Sequence, residues 1–160
     1  MTRSLLVAAL LTSFALPACV TSGGGFAPSN SKARKDMVDA IAAEPKGSYY
    51  VGRRYYKTDY KFWGYVRKAG EPWSTAQLVM LNENSKLAPD REGGKIGTDN
   101  NFEYKLFGNF SGDRVYEPAS NRFYPEFVLK GAEILTTSPG PIYHDPGATN
   151  PDRRVIPTPY

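Results

Sequence analysis

The pattern of hydrophobic and polar residues divides the chain into a short helix, a series of strands and a proline-rich end. Met37, Val38 and Ile41 recur at helical spacing, and Ser31 is placed to cap the first turn, so the pattern predicts a helix over 32–43. A proline and a glycine follow and end it. We expect its apolar face to plug one end of the domain. Lysine and arginine near its start leave open a helix lying on a membrane surface.

Alternation with a period of two residues begins at Tyr49 and predicts a domain built of strands. The segment 60–68 alternates most clearly, with Phe62 and Val66 on one face and Trp63 and Tyr65 on the other. The predicted strands are 49–56, 60–68, 76–82, 101–109, a brief 115–116, and 127–135. Turn residues separate them at 69–72, 111–113 and 118–121, and a loop is predicted over 83–101.

Five or six short strands in one small domain favour a barrel or a sandwich. The strand pair at 62–82, the long loop after it and the closing strand at 127–135 resemble an OB-type barrel over about residues 60–136. Gly64 and Gly108 lie in mid-strand, where the strong coiling of a barrel favours glycine. The resemblance implies a mainly β fold, a small OB-like barrel preceded by one short helix. A lipocalin-like or SH3-like barrel remains open.

The last segment, residues 137–160, is a proline-rich tail that cannot enter the interior of a sheet. Its prolines are Pro139, Pro141, Pro146, Pro151, Pro157 and Pro159. They predict an extended, partly polyproline II conformation. The tail either wraps the barrel or binds a partner, and wrapping is favoured because Ile142, Val155 and Ile156 need burial.

The first 18 residues have the three parts of an export signal. Arg3 supplies a positive start, and Leu5 to Leu16 is an uncharged apolar run. At about twelve residues this run fits the core of a signal peptide, and it falls short of the roughly twenty needed to cross a bilayer. Residues 1–18 are therefore predicted to be a cleaved signal peptide.

The stretch Leu16-Pro17-Ala18-Cys19 resembles the lipobox of bacterial lipoproteins, with Pro17 departing from the commonest pattern. The resemblance implies a lipid thioether on Cys19, cleavage before it and acylation of the new amine, which together anchor the chain firmly in a membrane. Val20, where retained lipoproteins carry Asp, implies sorting to the outer membrane, facing the periplasm. Residues 19–30 then form a flexible tether to a domain at 31–136.

Composition adds little to this picture. The chain has 160 residues, enough for one domain, and aromatic residues make up 13% of it, which suits strands. The net charge is +4 and falls to about +3 once Arg3 is removed. Such a mild excess does not by itself indicate nucleic acid or an anionic membrane as a partner.

Basic and aromatic residues interleave over 49–68, which is the sharpest candidate for a binding surface. The candidate residues are Arg53, Arg54, Tyr55, Trp63, Tyr65 and Arg67. Single-stranded nucleic acid is bound by this combination in OB barrels, although an envelope compartment makes it an unexpected ligand. The same surface suits a glycan or an acidic protein. Alternatively, the rings belong to the core and the cations only solvate the outer face.

No catalytic, metal or cofactor site is expected. His144 is the only histidine and lies in the tail, and Cys19 is the only cysteine. The carboxylates Asp113, Glu117 and Glu126 have no spacing that sets them apart from solvated charges. The sequence thus favours a non-enzymatic, lipid-anchored envelope protein whose small barrel binds a protein or glycan. The alternatives are an OB-type binder of single-stranded nucleic acid or oligosaccharide, and a purely structural lipoprotein.

Overall fold

The computed structural model describes residues 29–160, so the signal-peptide and lipobox predictions lie outside the described residues. The helices are α1 (Ser29–Ala42) and the short α2 (Pro89–Glu92). The strands are β1 (Tyr50–Arg54), β2 (Gly64–Lys68), β3 (Gln77–Asn82), β4 (Glu103–Glu117) and β5 (Arg122–Thr136). Single 3-10 turns lie at Trp73–Thr75 and Pro146–Thr149. Within residues 29–160, no helix is both long and apolar enough to cross a membrane.

The five strands close into a barrel in the order β1-β2-β3-β5-β4, with β4 returning to β1. All neighbours are antiparallel except β3 and β5, where Leu81 pairs with Phe127 in a parallel ladder. An up-and-down barrel of the lipocalin kind has only antiparallel neighbours. The prediction of a mainly β, OB-like barrel with one helix ahead of it is therefore confirmed.

Glycine permits close approach of neighbouring strands at two points of the barrel. A Cβ at Gly64 would overlap the carbonyl oxygen of Arg53, and one at Gly108 would overlap that of Val128. The ladder between β4 and β5 also shifts register next to Gly108. Both mid-strand glycines thus stand where the tight coiling of the barrel leaves no room for a side chain.

The apolar residues form two cores, one inside the barrel and one on its outer face. The inner core takes Val66, Val79, Tyr104, Leu106, Phe127 and Leu129 from the last four strands, and they are joined by Trp63, just before β2, and by Ala88. The outer core lies on β1 and β2 and contains Val51, Tyr55, Phe62, Tyr65, Trp73, Leu78 and Tyr124. Helix α1 adds Ile41 to the outer core, and the tail adds Ile142, Tyr143 and Ala148.

The tail wraps the barrel, as the burial requirement of its apolar residues predicted. Ile142 and Ala148 are completely buried, and Tyr143 is nearly so. The helix makes a narrower contact than its spacing predicted. Ile41 is buried and Met37 packs beside it, whereas Val38 is 55% exposed.

The long β4–β5 hairpin differs from the sequence prediction. Gly112, with φ of +94°, was placed in a turn, but it lies in a bulge between Phe110 and Arg114, and pairing resumes at Arg114 opposite Pro125. The predicted strands 101–109 and 115–116 are therefore one strand. The reversal occurs at the turn predicted over 118–121. The predicted loop 83–101 also contains the short helix α2.

The alternation predicted along 60–68 changes phase at Gly64. Phe62 and Tyr65 both belong to the outer core, while Trp63 and Val66 both belong to the inner core. Strand β2 begins only at Gly64, so the residues before it form the loop that follows β1. Strict alternation fails here because two consecutive residues oppose one residue of β3, as in a β-bulge: the N–H of Trp63 donates to Val79, and Gly64 is the ladder partner of Val79.

Candidate functional site

The six residues predicted as a binding surface are buried. Their exposed fractions range from 0% to 5%, for Arg53, Arg54, Tyr55, Trp63, Tyr65 and Arg67. The expectation of an exposed basic and aromatic surface is therefore corrected: the rings are core residues, and the cations are buried with them. The alternative, in which the rings belong to the core and the cations lie in solvent on the outer face, is right for the rings and wrong for the cations, because all three arginines are buried.

The tail covers two of these side chains, Tyr55 and Tyr65. The hydroxyl of Tyr55 lies 2.8 Å from the carbonyl oxygens of both Ala148 and Val155, and the hydroxyl of Tyr65 donates to the carbonyl of Pro157. A tail rich in proline lacks many N–H groups and keeps its carbonyls free to accept. Tyr55, directly after β1, and Tyr65 of β2 thus bind the protein's own chain.

Two buried arginines of this face pack on Trp73. The guanidinium carbons of Arg53 and Arg67 lie 5.2 and 4.5 Å from the centre of that ring. Arg53 is paired with Glu103 at 2.6 Å, and Nη1 of Arg67 lies 2.8 Å from Glu44. Burial lowers the pKa of Arg53, and the Glu103 charge opposes that effect. Each cation therefore has its own carboxylate and is not available to a ligand.

Arg54 points the other way and fastens the segment after β3 to the end of the barrel. Its guanidinium contacts Asp90 at 3.0 Å and Asp99 at 3.3 Å, and the hydroxyl of Tyr104 donates to Asp99 at 2.8 Å. Burial raises the pKa of Asp99. Burial acts in the same sense on Asp90, but the Arg54 charge and the N–H of Gly97 outweigh it and lower the Asp90 pKa.

An open cleft of about 530 Å³ lies beside the Arg54, Asp90 and Asp99 side chains, at the end of the barrel where β1 and β3 finish. Its walls are the β1–β2 loop, the end of β3 and the segment around α2. Among its lining residues are Tyr56, Tyr60, Lys61, Glu83 and Arg91. Its volume is within the range of pockets that hold small ligands.

Two half-buried tyrosine rings line the cleft, and both are held in place. The ring of Tyr56 lies so close to Gly97 that a Cβ there would overlap it, and the Arg54 guanidinium lies 5.3 Å from its centre. The ring of Tyr60 packs against Phe62 at a centroid distance of 5.0 Å. The cleft therefore presents rigid, partly accessible aromatic rings, which cost little conformational entropy on binding.

The polar groups of the cleft are nearly balanced in charge. Arg91 pairs with Glu83 at 3.3 Å, and Glu83 also accepts the N–H of Ala88. Lys61 is exposed, and no ion pair of its ammonium is found within residues 29–160. The indole N–H of Trp63 is buried without an acceptor in the described part of the chain, a situation that costs about 1–3 kcal/mol.

The sequence prediction missed the tyrosines and Arg91 of this cleft. It placed Tyr56 and Tyr60 in strands, although Thr58-Asp59 between them is typical of a loop. Extending that loop by a few residues on each side would have moved both rings to the barrel end. Arg91 was unremarked within a predicted loop, and only the fold brings it to the cleft.

The remaining candidate residues have structural roles. Glu117 is buried at the hairpin turn, where it accepts the N–H groups of Ala119 and Ser120, and these bonds hold its pKa low against the opposing effect of burial. Glu126 accepts from the side chain of Asn82. The described residues 29–160 contain no cluster of three or more His, Cys, Asp or Glu side chains that could hold a metal ion.

His144 packs against the ring of Tyr160, with 4.7 Å between the ring centres. It lies on the tail, away from the residues that line the cleft.

Comparison of the chain with protein-family models, with curated proteins and with solved structures finds no significant match.

Proposed function

We propose that the protein is a non-enzymatic lipoprotein of the bacterial envelope, anchored through Cys19, whose barrel binds a partner at the cleft. The observation that carries this proposal is the open, aromatic cleft at the barrel end. It remains accessible while the tail fills the outer face of β1 and β2. In OB barrels generally, ligands are bound on strands 2 and 3 and the adjoining loops. Here the outer face of β2 is occupied by the chain itself, which leaves the loop end.

The anchor is supported by the sequence around Cys19. The apolar run before it, the Leu16-Pro17-Ala18-Cys19 stretch and the glycines after it fit an exported, acylated chain. The stretch between Cys19 and helix α1 lies outside the described residues; its sequence is rich in glycine and serine, which supports a tether between the acylated residue and the domain. Val20 favours the outer membrane, with the barrel in the periplasm.

Fatty-acid labelling tests the anchor. Cells that produce the full-length chain are grown with radioactive palmitate, and the protein is isolated from membranes. The wild type is expected to carry the label and the Cys19→Ser variant to carry none. Equal labelling of both chains would rule out acylation at Cys19.

A capture experiment tests the binding function. Full-length lipidated protein is immobilised from detergent-treated envelopes, and retained components are compared with those held by a Tyr60→Ala variant. The proposal expects a component, protein or glycan, that the variant loses. Retention of nothing, together with turnover of a cell-wall substrate by the purified wild type, would replace the binding function with an enzymatic one.

A further inference from the structure

We infer that the cleft binds a glycan, in the form of the sugar strands of the bacterial cell wall. This inference rests on the proposed function, because it assumes that the barrel faces the periplasm. The carrying observation is the pairing of two rigid, half-buried tyrosines with a nearly neutral polar rim in one cleft of about 530 Å³.

The rings match the shape of a sugar. A pyranose has a flat apolar face of C–H groups and hydroxyls around its edge, so it stacks on an aromatic ring and needs hydrogen-bonding groups at the side. Tyr56 is fixed by Gly97 and Arg54, and Tyr60 by Phe62. Both partly exposed rings are therefore held in the cleft wall before any ligand arrives.

The charges favour a neutral or weakly acidic ligand. Arg54 is neutralised by Asp90 and Asp99, and Arg91 is paired with Glu83. Lys61 is the one lining cation for which the described residues 29–160 provide no carboxylate. Nucleic acid is bound through several phosphates at once and needs several unpaired cations. A sugar strand carries no backbone phosphate, and its carboxylates lie on separate, alternate sugars, so a cleft of this size meets few of them at once.

The Arg91–Glu83 pair at the rim of the cleft offers hydrogen-bonding groups that suit the hydroxyls of a sugar. Arg91 and Glu83 approach each other edge to edge at 3.3 Å, so they present N–H donors and carboxylate acceptors side by side. Neighbouring hydroxyls of a sugar both donate and accept, and they can bond such a pair without displacing either partner. The rim therefore recognises a polyhydroxyl edge without a net charge.

The walls of the cleft favour a glycan over an extended peptide as the ligand. Extended peptides gain much of their affinity by pairing with a free strand edge. At the cleft, Met80 and Leu81 are paired with β5, and the N–H of Trp63 already donates to Val79. One edge of β3 is thus occupied by β5, and on the other edge the carbonyl of Val79 is taken by Trp63.

The test measures binding to purified glycan strands from which the peptide stems have been removed enzymatically. Full-length protein in detergent micelles is titrated calorimetrically with these strands. The wild type is expected to bind, and Tyr60→Ala and Arg91→Ala are each expected to weaken binding by about tenfold, equivalent to about 1.4 kcal/mol. Tyr116→Ala is the matched control, because Tyr116 is another partly exposed tyrosine, on the β4–β5 hairpin outside the cleft.

Thermal melting of each variant separates loss of contact from loss of fold. Arg91 is exposed, so its variant keeps the test valid if Tyr60→Ala unfolds. Glycan binding that the cleft variants leave unchanged would overturn the inference. Capture of an envelope protein with no glycan binding would also overturn it, while the proposed binding function would stand. Retention of neither glycan nor protein would overturn both.

Discussion

The substitution Ile142→Ala tests whether the tail is part of the folded core. Ile142 is completely buried in the outer core, among the side chains of β1 and β2. Truncating a buried isoleucine to alanine removes its transfer free energy and leaves a cavity, at a typical cost of about 2–5 kcal/mol. Because whole domains are stable by only about 5–15 kcal/mol, the loss will be large.

The matched control is Ile134→Ala, the same truncation at a position that is 57% exposed on β5. It is expected to cost about 0.5 kcal/mol, from strand preference alone. Urea unfolding followed by tryptophan fluorescence measures both variants, since Trp63 reports on the inner core and Trp73 on the outer core. We expect Ile142→Ala to lower the free energy of unfolding by about 3 kcal/mol. Equal costs for the two variants would refute the assignment of the tail to the core.

Two further predictions concern buried charges. The pKa of Asp90 is lower in the folded protein than the usual aspartate value of 3.8, so its carboxylate stabilises the folded state above pH 3.8. This contribution is lost as the pH falls from 3.8 through the lowered pKa, and the free energy of unfolding is expected to fall with it. Urea midpoints across this range should fall less steeply for Asp90→Asn; an unchanged slope contradicts the assignment. Glu44→Gln leaves the buried Arg67 uncompensated, so it is expected to cost more than Arg67→Met, by about 1–2 kcal/mol in urea unfolding. The reverse order would contradict this.

The barrel was predictable because its signals are local. Alternation located the strands, and Gly64 and Gly108 indicated tight coiling before any contact was known. The bulge at Gly112 was not predictable in the same way. Glycine with positive φ fits a turn and a bulge equally well, and only the renewed pairing of Arg114 with Pro125 distinguishes them.

The site was less predictable because burial of the outer face is a long-range effect. Residues 60–68 alternate in sequence as a half-exposed strand would, yet the tail that covers Tyr65 lies about ninety positions later in the chain. Alternation along a strand cannot indicate that another segment of the chain packs on its outer face. The cleft joins Tyr56 and Tyr60 to Arg91 from the far side of β3, and only the fold brings them together.

Amide hydrogen exchange with and without glycan strands tests the central claim, that the ligand is bound at the barrel end and not on the covered outer face. The full-length protein is compared by mass spectrometry in the two states. Protection is expected over 56–61 and 91–97, with 141–157 unchanged. Protection confined to 50–54 and 64–68, with faster exchange over 141–157, would contradict the account, because the ligand would then have displaced the tail from β1 and β2.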